Sequence, residues 1–310
     1  MNLLIVGASG FIGSELVKAL QPHHQITVLG RDMSALQKKF SKEIHKVTWD
    51  NLSQLNAANF EAIINLCGYN IAQSRWSDSI KKKLIDSRVN TNKELINWLI
   101  SQEAKPHFIC ANAVGIYGLQ SNECSPPLDE KSTINFEYPI DFLSEIGVAW
   151  QNSLLPALDY GMPVTTTRFG VVLKRGAGML KKLELSFYLG MGSVLGDGKQ
   201  VVSWVHIQDV IQSILFLLNN PQLTGAFNIT SPNPVSQREF AHTFAHTIKR
   251  PLFLRVPRLI IKMLLGEMGE CLLLKGQRVV PTRLQELGYK FKYPTLSEAL
   301  KQEYKKGGGL

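Results

Sequence analysis

Only four cysteines occur in 310 residues, and none stands in a C-x-x-C pair or beside histidine at metal-ligand spacing. Cys67, Cys110, Cys124 and Cys271 are scattered. That excludes a disulfide framework, argues against any metal site and points to a reducing compartment, with the cytoplasm as the expected location. No apolar run reaches about 18 residues, the length a membrane-spanning helix needs. The stretch LIIKMLLGEMGECLLLKG (259–276) comes nearest, but Lys262, Glu267 and Glu270 interrupt it. It reads as buried helix, and no membrane contact is expected. The opening MNLLIVGASG has no basic segment before its apolar run and ends in glycine; it reads as a first strand, not a signal peptide. Repeats are absent, and the terminal GGGL is the one low-complexity stretch. Acidic charge is scarce near the end. The net charge is +9, and from Lys249 onward thirteen Lys/Arg stand against five Asp/Glu. These cations are dispersed among apolar residues with no nucleic-acid motif, so no nucleic-acid partner is expected. An ordinary solvated surface, or a basic wall that draws in an anionic small molecule, accounts for them.

What is present is an alternation of strand and helix signals in a chain that is 45% hydrophobic and 19% charged. Apolar runs at 2–6, 25–30, 45–49, 61–68, 107–113 and 163–173 read as six strands. Helical spacing follows the first, a long helix is expected over about Ser77–Ser101, and another over about Pro139–Tyr160. Segments 201–207 and 225–230 look like a return to the sheet. The expected fold is α/β, a Rossmann-type doubly wound parallel sheet with a smaller, mostly helical C-terminal lobe. Residues 1–173, with returning segments at about 201–230, would form the dinucleotide-binding domain. Residues at about 174–200 and 231–310 would form the smaller substrate-side lobe.

The first strand runs into LIVGASGFIG (4–13), with Gly7, Gly10 and Gly13 evenly spaced around Ser9, Phe11 and Ile12. Such a turn brings backbone N–H groups and a helix N-terminus up to a pyrophosphate. Gly7 permits the sharp turn, Gly10 the approach of phosphate, and Gly13 close packing of helix on strand. At the end of the second strand, VLGRD (28–32) puts Arg31 where a selector of the dinucleotide belongs. An arginine there suits the 2′-phosphate of NADP, whereas an acidic residue suits the ribose of NAD. Arg31 favours NADP(H); Asp32, immediately after, is the competing feature.

The G-x-x-G-x-x-G spacing resembles the extended, sugar-nucleotide-epimerase-like branch of the short-chain dehydrogenase/reductase superfamily. INLCG (64–68), RVNT (88–91), TTRFGVVL (166–173) and SWVHIQDV (203–210) strengthen the likeness. More narrowly, INLCGYNIAQSRWSD, LIDSRVNT, AVGIYG, SPNPVSQREFA, LLGEMGECLLLKGQRVVP and FKYPTLSEAL resemble the YfcH-like epimerase family, an atypical subgroup, across essentially the whole chain. The resemblance implies NADP(H) in a cleft formed by Gly7, Ser9, Gly10, Phe11, Ile12, Gly13, Arg31, Leu66, Cys67 and Gly68. It also implies that Arg88 and Lys83 approach the cofactor from the long helix and that Phe169 and Val172 line its nicotinamide end. By analogy it implies a homodimer.

A working member of the superfamily carries Tyr-x-x-x-Lys on one helix face, where lysine lowers the tyrosine's pKa for proton exchange with substrate. None of the eight tyrosines here is followed four residues later by lysine. The helix expected to carry the pair offers Leu143 and Gly147, and Asn112 stands where the strand-five serine would be. An amide can hydrogen-bond a substrate carbonyl but is no general acid. Tyr117 is the best local phenol, though without a lysine. Cys110 reads as a small buried hydrophobe, and Glu145 as solvated. His206 either contacts substrate or anchors its loop. Arg75 and Trp76 either meet a substrate carboxylate or phosphate or brace the loop after strand four. Two functions stay open. One is an NADP(H)-binding, epimerase-like oxidoreductase acting without the usual pair on a small molecule; an anionic one would suit the basic wall. The other is a catalytically silent, NADP(H)-bound regulatory or interaction protein, a class suggested by cell-division names within the wider family.

Overall fold

A computed structural model describes residues 1–120 and 125–305; Cys124 and the terminal GGGL lie outside the described residues. In chain order the strands are β1 (Asn2–Val6), β2 (Gln25–Gly30), β3 (His45–Thr48), β4 (Ala62–Asn65), β5 (His107–Ala113), β6 (Val164–Phe169), β7 (Val171–Leu173), β8 (Ser193–Leu195), β9 (Val201–Val202), β10 (Trp204–His206), β11 (Gly225–Ile229), β12 (Val235–Ser236) and β13 (Leu254–Val256). The helices are α1 (Phe11–Leu20), α2 (Met33–Lys39), α3 (Asp78–Ser101), α4 (Phe142–Asn152), α5 (Leu155–Asp159), α6 (Gly178–Tyr188), α7 (Ile207–Leu218), α8 (Gln237–Thr247), α9 (Arg258–Gly269), α10 (Thr282–Glu286) and α11 (Leu296–Tyr304).

Continuous apolar runs become interior strands because helices cover both faces of a parallel sheet. Leu3, Leu4, Ile5 and Val6 are fully buried, as are Ile63 and Ile64 beside them. Seven parallel strands lie in the order β11-β6-β5-β4-β1-β2-β3. The order reverses at β1, so a crevice opens outside the carboxyl ends of β1 and β4, where such sheets receive ligands. Helix α3 starts at the Ser77 cap, whose hydroxyl accepts the Ile80 N–H. It turns Leu84, Arg88, Asn92, Leu95 and Leu99 inward. Two polar residues thus share its buried stripe with leucines.

The fold departs from the sequence reading in three places. The sixth strand divides at Gly170, whose N–H donates to Ile229, while the Val171 N–H donates to Ser203. A Cβ at Gly170 would lie 2.4 Å from the Ser203 carbonyl, so this crossing requires glycine. Segment 201–207 does not return to the main sheet. It makes two small ladders, β9 with β12 and β10 with β7, and only β11 rejoins at the edge. The helix expected over 139–160 is two helices. Asp141 and Ser144 form a capping box that starts α4, and α5 begins afresh with a proline in its first turn.

The C-terminal segments gather a second core, in which Leu180, Phe187, Trp204, Phe240, Phe244, Leu296 and Leu300 pack together. Among the described residues no helix is long and apolar enough to cross a membrane.

Helix α4 lies hard against the 3-10 turn Val114–Tyr117 that follows β5. A Cβ on Gly147 would sit 2.6 Å from the Ile116 Cα, and backbone cannot yield as a side chain can. Gly147→Ala is expected to cost about 1–3 kcal/mol of unfolding free energy, read from urea denaturation. Glu145→Gln on the exposed side of the same helix is expected to stay within about 0.5 kcal/mol of the parent.

Candidate functional site

The crevice is built where backbone meets backbone. Gly7 has φ +77, and a Cβ there would lie 2.8 Å from the Leu66 carbonyl carbon and 2.9 Å from the Cys67 nitrogen. The loop after β4 is therefore seated directly on the glycine turn. Gly13 is pressed equally close, 2.4 Å from the Gly7 carbonyl by the same measure. Gly10 is exposed, and its hypothetical Cβ meets only the Gly7 carbonyl, at 3.1 Å. Gly10 is the N-cap of α1; no side chain caps this end, and no acidic residue stands in its first turn. Uncapped N–H groups and the positive end of the helix dipole thus converge on an open glycine. These residues fit a pyrophosphate.

At the end of β2, Asp32 is committed to the helix that follows. Its carboxylate accepts the Ser34 hydroxyl at 2.9 Å and the Ser34 and Ala35 N–H groups at 2.8 and 3.4 Å. The Ser34 hydroxyl, then these backbone groups, hold the carboxyl below its ordinary range. Arg31 and Asp32 are both exposed at the tip, and Arg31 is the cation there. It lines an open groove of about 540 Å³ together with Trp49, Lys82, Lys83, Asn90 and Glu94. Lys83 lies 4.3 Å from the centre of the Tyr69 ring. Lys39, at the far end of α2, reaches back so that its ammonium donates to the Ser9 carbonyl at 2.5 Å.

Behind the loop after β4, Arg88 is nearly buried. It donates to the Leu84 and Tyr69 carbonyls at 2.7 and 3.1 Å and lies 4.9 Å from the Trp150 ring centre. Its Nε has no partner, and burial lowers its pKa to about 10. A Cβ on Gly68 would come within 3.1 Å of its guanidinium carbon. Glycine at 68 is what lets the loop lie on this cation. The Cys67 thiol is pushed up to about 11 and that of Cys110 to about 12, both by burial, so both stay protonated near neutrality. At the other end of the crevice, the ring of Phe11 and the Val172 carbonyl crowd Gly178 at the start of α6, and Phe169 closes β6 in the core.

The residues considered for chemistry are held differently. Asn112 is buried, donating to the Gly147 carbonyl at 3.1 Å and accepting the Ala113 N–H at 2.8 Å. Its amide is spent within the fold, and the exposed end of β5 is Ala113. Tyr117 donates to Asn228 at 2.9 Å and accepts from Arg168 at 2.8 Å. Burial raises its pKa, against the opposing pull of Arg168. Leu143 and Gly147 both face the 114–117 turn, the former against Gly115 and the latter against Ile116. His206 is fully buried. Its Nδ1 accepts the Gln208 N–H at 3.1 Å, and its Nε2 donates to Glu303 at 2.7 Å. Both nitrogens anchor the chain. Trp76 donates to the Ile71 carbonyl at 2.9 Å and packs edge-on to Phe142, bracing its loop. Arg75 is exposed and lies beside Gly266 of α9. Among the described residues no cluster of His, Cys, Asp and Glu could hold a metal ion.

Sequence reasoning missed Lys39 and Trp49, and it marked the arginine of TTRFGVVL without its partner, Tyr117. Lys39 and Trp49 reach their places through contacts remote in the chain, and no local pattern marks them.

A family model described as the NAD dependent epimerase/dehydratase family matches residues 3–230. A second, described as a domain of unknown function, DUF1731, matches residues 256–303. The chain is 34% identical over 301 residues to an epimerase family protein of Mycobacterium bovis, covering 96% of this chain and 95% of the relative. It is 34% identical over 312 residues to the chloroplastic epimerase family protein SDR39U1 homolog of Arabidopsis thaliana, covering 97% and 86%. Among solved structures, human epimerase family protein SDR39U1 with NADPH superposes with TM-score 0.86 at 28% identity, covering 99% of this chain and 100% of that one. A UDP-galactose 4-epimerase shares the fold at TM-score 0.75 and 16% identity, covering 98% and 97%.

Tyr117→Phe would strip a partner from two buried groups, the Arg168 guanidinium and the Asn228 carbonyl. A loss of about 1–3 kcal/mol in unfolding free energy is expected, measured by urea denaturation. An unchanged midpoint would show that this hydroxyl does not hold the structure.

Proposed function

The chain belongs to the NAD dependent epimerase/dehydratase family, and from that premise we propose that it binds NADP(H) across the glycine turn as an epimerase-like oxidoreductase working without a Tyr-x-x-x-Lys pair. One observation carries the choice of cofactor. Asp32 caps α2 through its Oδ1, which turns that oxygen to the helix N-terminus and leaves Arg31 as the cation at the tip to meet the 2′ position of the adenosine ribose. The human relative solved with NADPH supports the same choice. In this reading Gly7, Ser9, Gly10, Phe11, Ile12 and Gly13 hold the pyrophosphate, Leu66, Cys67 and Gly68 flank the adenosine, and Phe169 and Val172 border the nicotinamide. Bound NADP(H) supplies or accepts a hydride. The chain's own part is to orient the two reactants and exclude water. Arg75, exposed and cationic, is our candidate for a substrate carboxylate or phosphate. Cysteines that stand unpaired, Cys67, Cys110 and Cys271, support a reducing, cytoplasmic location.

A second reading has its own support. Leu143 and Gly147 are packed against the turn after β5, and a lysine at 147 has no room there. A protein that keeps NADP(H) as a structural or signalling ligand needs no such lysine.

Mixing the protein with NADPH and a panel of carbonyl and sugar-nucleotide compounds, while following NADPH absorbance, separates the two. Turnover is the outcome expected for the enzyme; tight NADPH retention with no turnover across the panel would favour the silent protein. Arg31→Ala is expected to weaken NADPH by about tenfold or more while leaving NADH nearly unchanged. Equal losses for the two nucleotides would remove the 2′-phosphate assignment.

A further inference from the structure

We propose that Lys39 is the second half of a two-cation clamp on the 2′-phosphate, closing over it from the far end of α2 opposite Arg31. The inference rests on the NADP(H) reading above and adds a residue that no motif indicates. A phosphate monoester carries close to two negative charges near neutrality, so Arg31 alone leaves about half of that charge unmatched. The cations that line the groove or neighbour the glycine turn can be sorted by what already holds them. Lys82 is paired with Asp86 at 2.8 Å, and Lys83 is drawn over the Tyr69 ring at 4.3 Å. Arg88 is buried behind Gly68 with two carbonyls. Lys39 is exposed and differs in having, among the described residues, neither a carboxylate nor an aromatic ring beside its ammonium. Its ammonium rests on the neutral carbonyl of Ser9, in the middle of the glycine turn.

That position matters because Ser9 stands between Gly7, where the turn begins, and Gly10, where α1 begins. A nucleotide laid across this turn puts its pyrophosphate at the helix N-terminus and its adenosine ribose toward the end of β2. Lys39 and Arg31 then flank the ribose from opposite ends of one short helix. The carboxylate between them, Asp32, is tied to the N–H groups of that same helix. A carbonyl is a weak partner for an ammonium compared with a phosphate dianion. Exchanging Ser9 for the phosphate is therefore favourable and requires only that a flexible side chain swing.

The test is direct binding of NADPH and of NADH, each titrated against the intact protein by nucleotide fluorescence, for the parent and for Lys39→Gln, Lys39→Arg and Arg31→Ala. Lys39→Gln is expected to weaken NADPH by about tenfold and to leave NADH within about twofold. Lys39→Arg is expected to keep most of the preference, because the charge is retained. Raising the salt concentration should erode the parent's preference for NADPH more than that of Lys39→Gln. If the parent prefers NADPH and Lys39→Gln keeps that preference in full, the clamp is refuted while the cofactor assignment survives. A loss shared equally by both nucleotides would make Lys39 a brace for the glycine turn and refute the clamp as well. A parent that does not distinguish the nucleotides would overturn the underlying reading itself.

Discussion

The crevice depends on one constraint, the approach of the Leu66–Cys67 backbone to the glycine turn at Gly7. At that distance no side chain fits, and the φ of Gly7 lies where L-residues are strained. Because β4 pairs with β1 in register up to Val6 and Asn65, the two loops leave the sheet side by side and must share this space. Leu66 then donates its N–H to the Val6 carbonyl, and Cys67 donates to the Asn65 side chain. The walls of the crevice are thus an extension of the sheet. The cofactor end of the crevice is thereby tied to the sheet by hydrogen bonds from both Leu66 and Cys67.

A buried polar chain carries the constraint outward. Asn65 donates to Asn92 at 2.6 Å, Asn92 donates to Ser153 at 2.8 Å, and the Cys110 thiol leans on the same Asn92 oxygen at 3.3 Å. Four elements, β4, α3, β5 and the end of α4, are locked by one asparagine. Leaving any of these groups unmatched in the interior would cost more than the bond contributes. The arrangement therefore fixes the register of α3, and with it the placement of Arg88 behind Gly68. Arg88 is a charge without a counter-charge; its two carbonyls and the Trp150 face stand in for one.

What the sequence made legible was local. The glycine turn, the Ser77 start of α3, and the Arg31–Asp32 pair depend on neighbours in the chain, and pattern plus turn chemistry reveals them. The central strands were legible because burial on both faces demands an unbroken apolar run. What escaped is settled by remote contacts. The break of the sixth strand at Gly170 exists because the Ser203 carbonyl occupies the space beside it. Tyr117, which looked like a free phenol, finds Arg168 and Asn228 at 51 and 111 residues' separation. His206 likewise meets Glu303 from the last helix. A polar residue near an expected cleft is ambiguous until such partners are known.

The turn after β5 is where the structure departs most from an ordinary reductase, and the departure is steric before it is chemical. Helix α4 is drawn onto the turn after β5 by Gly147, and the Gly147 carbonyl is taken up by Asn112. Restoring a lysine at 147 would require α4 to move outward, which would release Asn112 and pull on Ser153 at the helix end. The absence of the pair is therefore built into the packing, and that packing is tied through Ser153, Asn92 and Asn65 to the loop beside Gly7. Among the described residues the packing leaves no lysine beside the turn after β5 to lower a tyrosine's pKa.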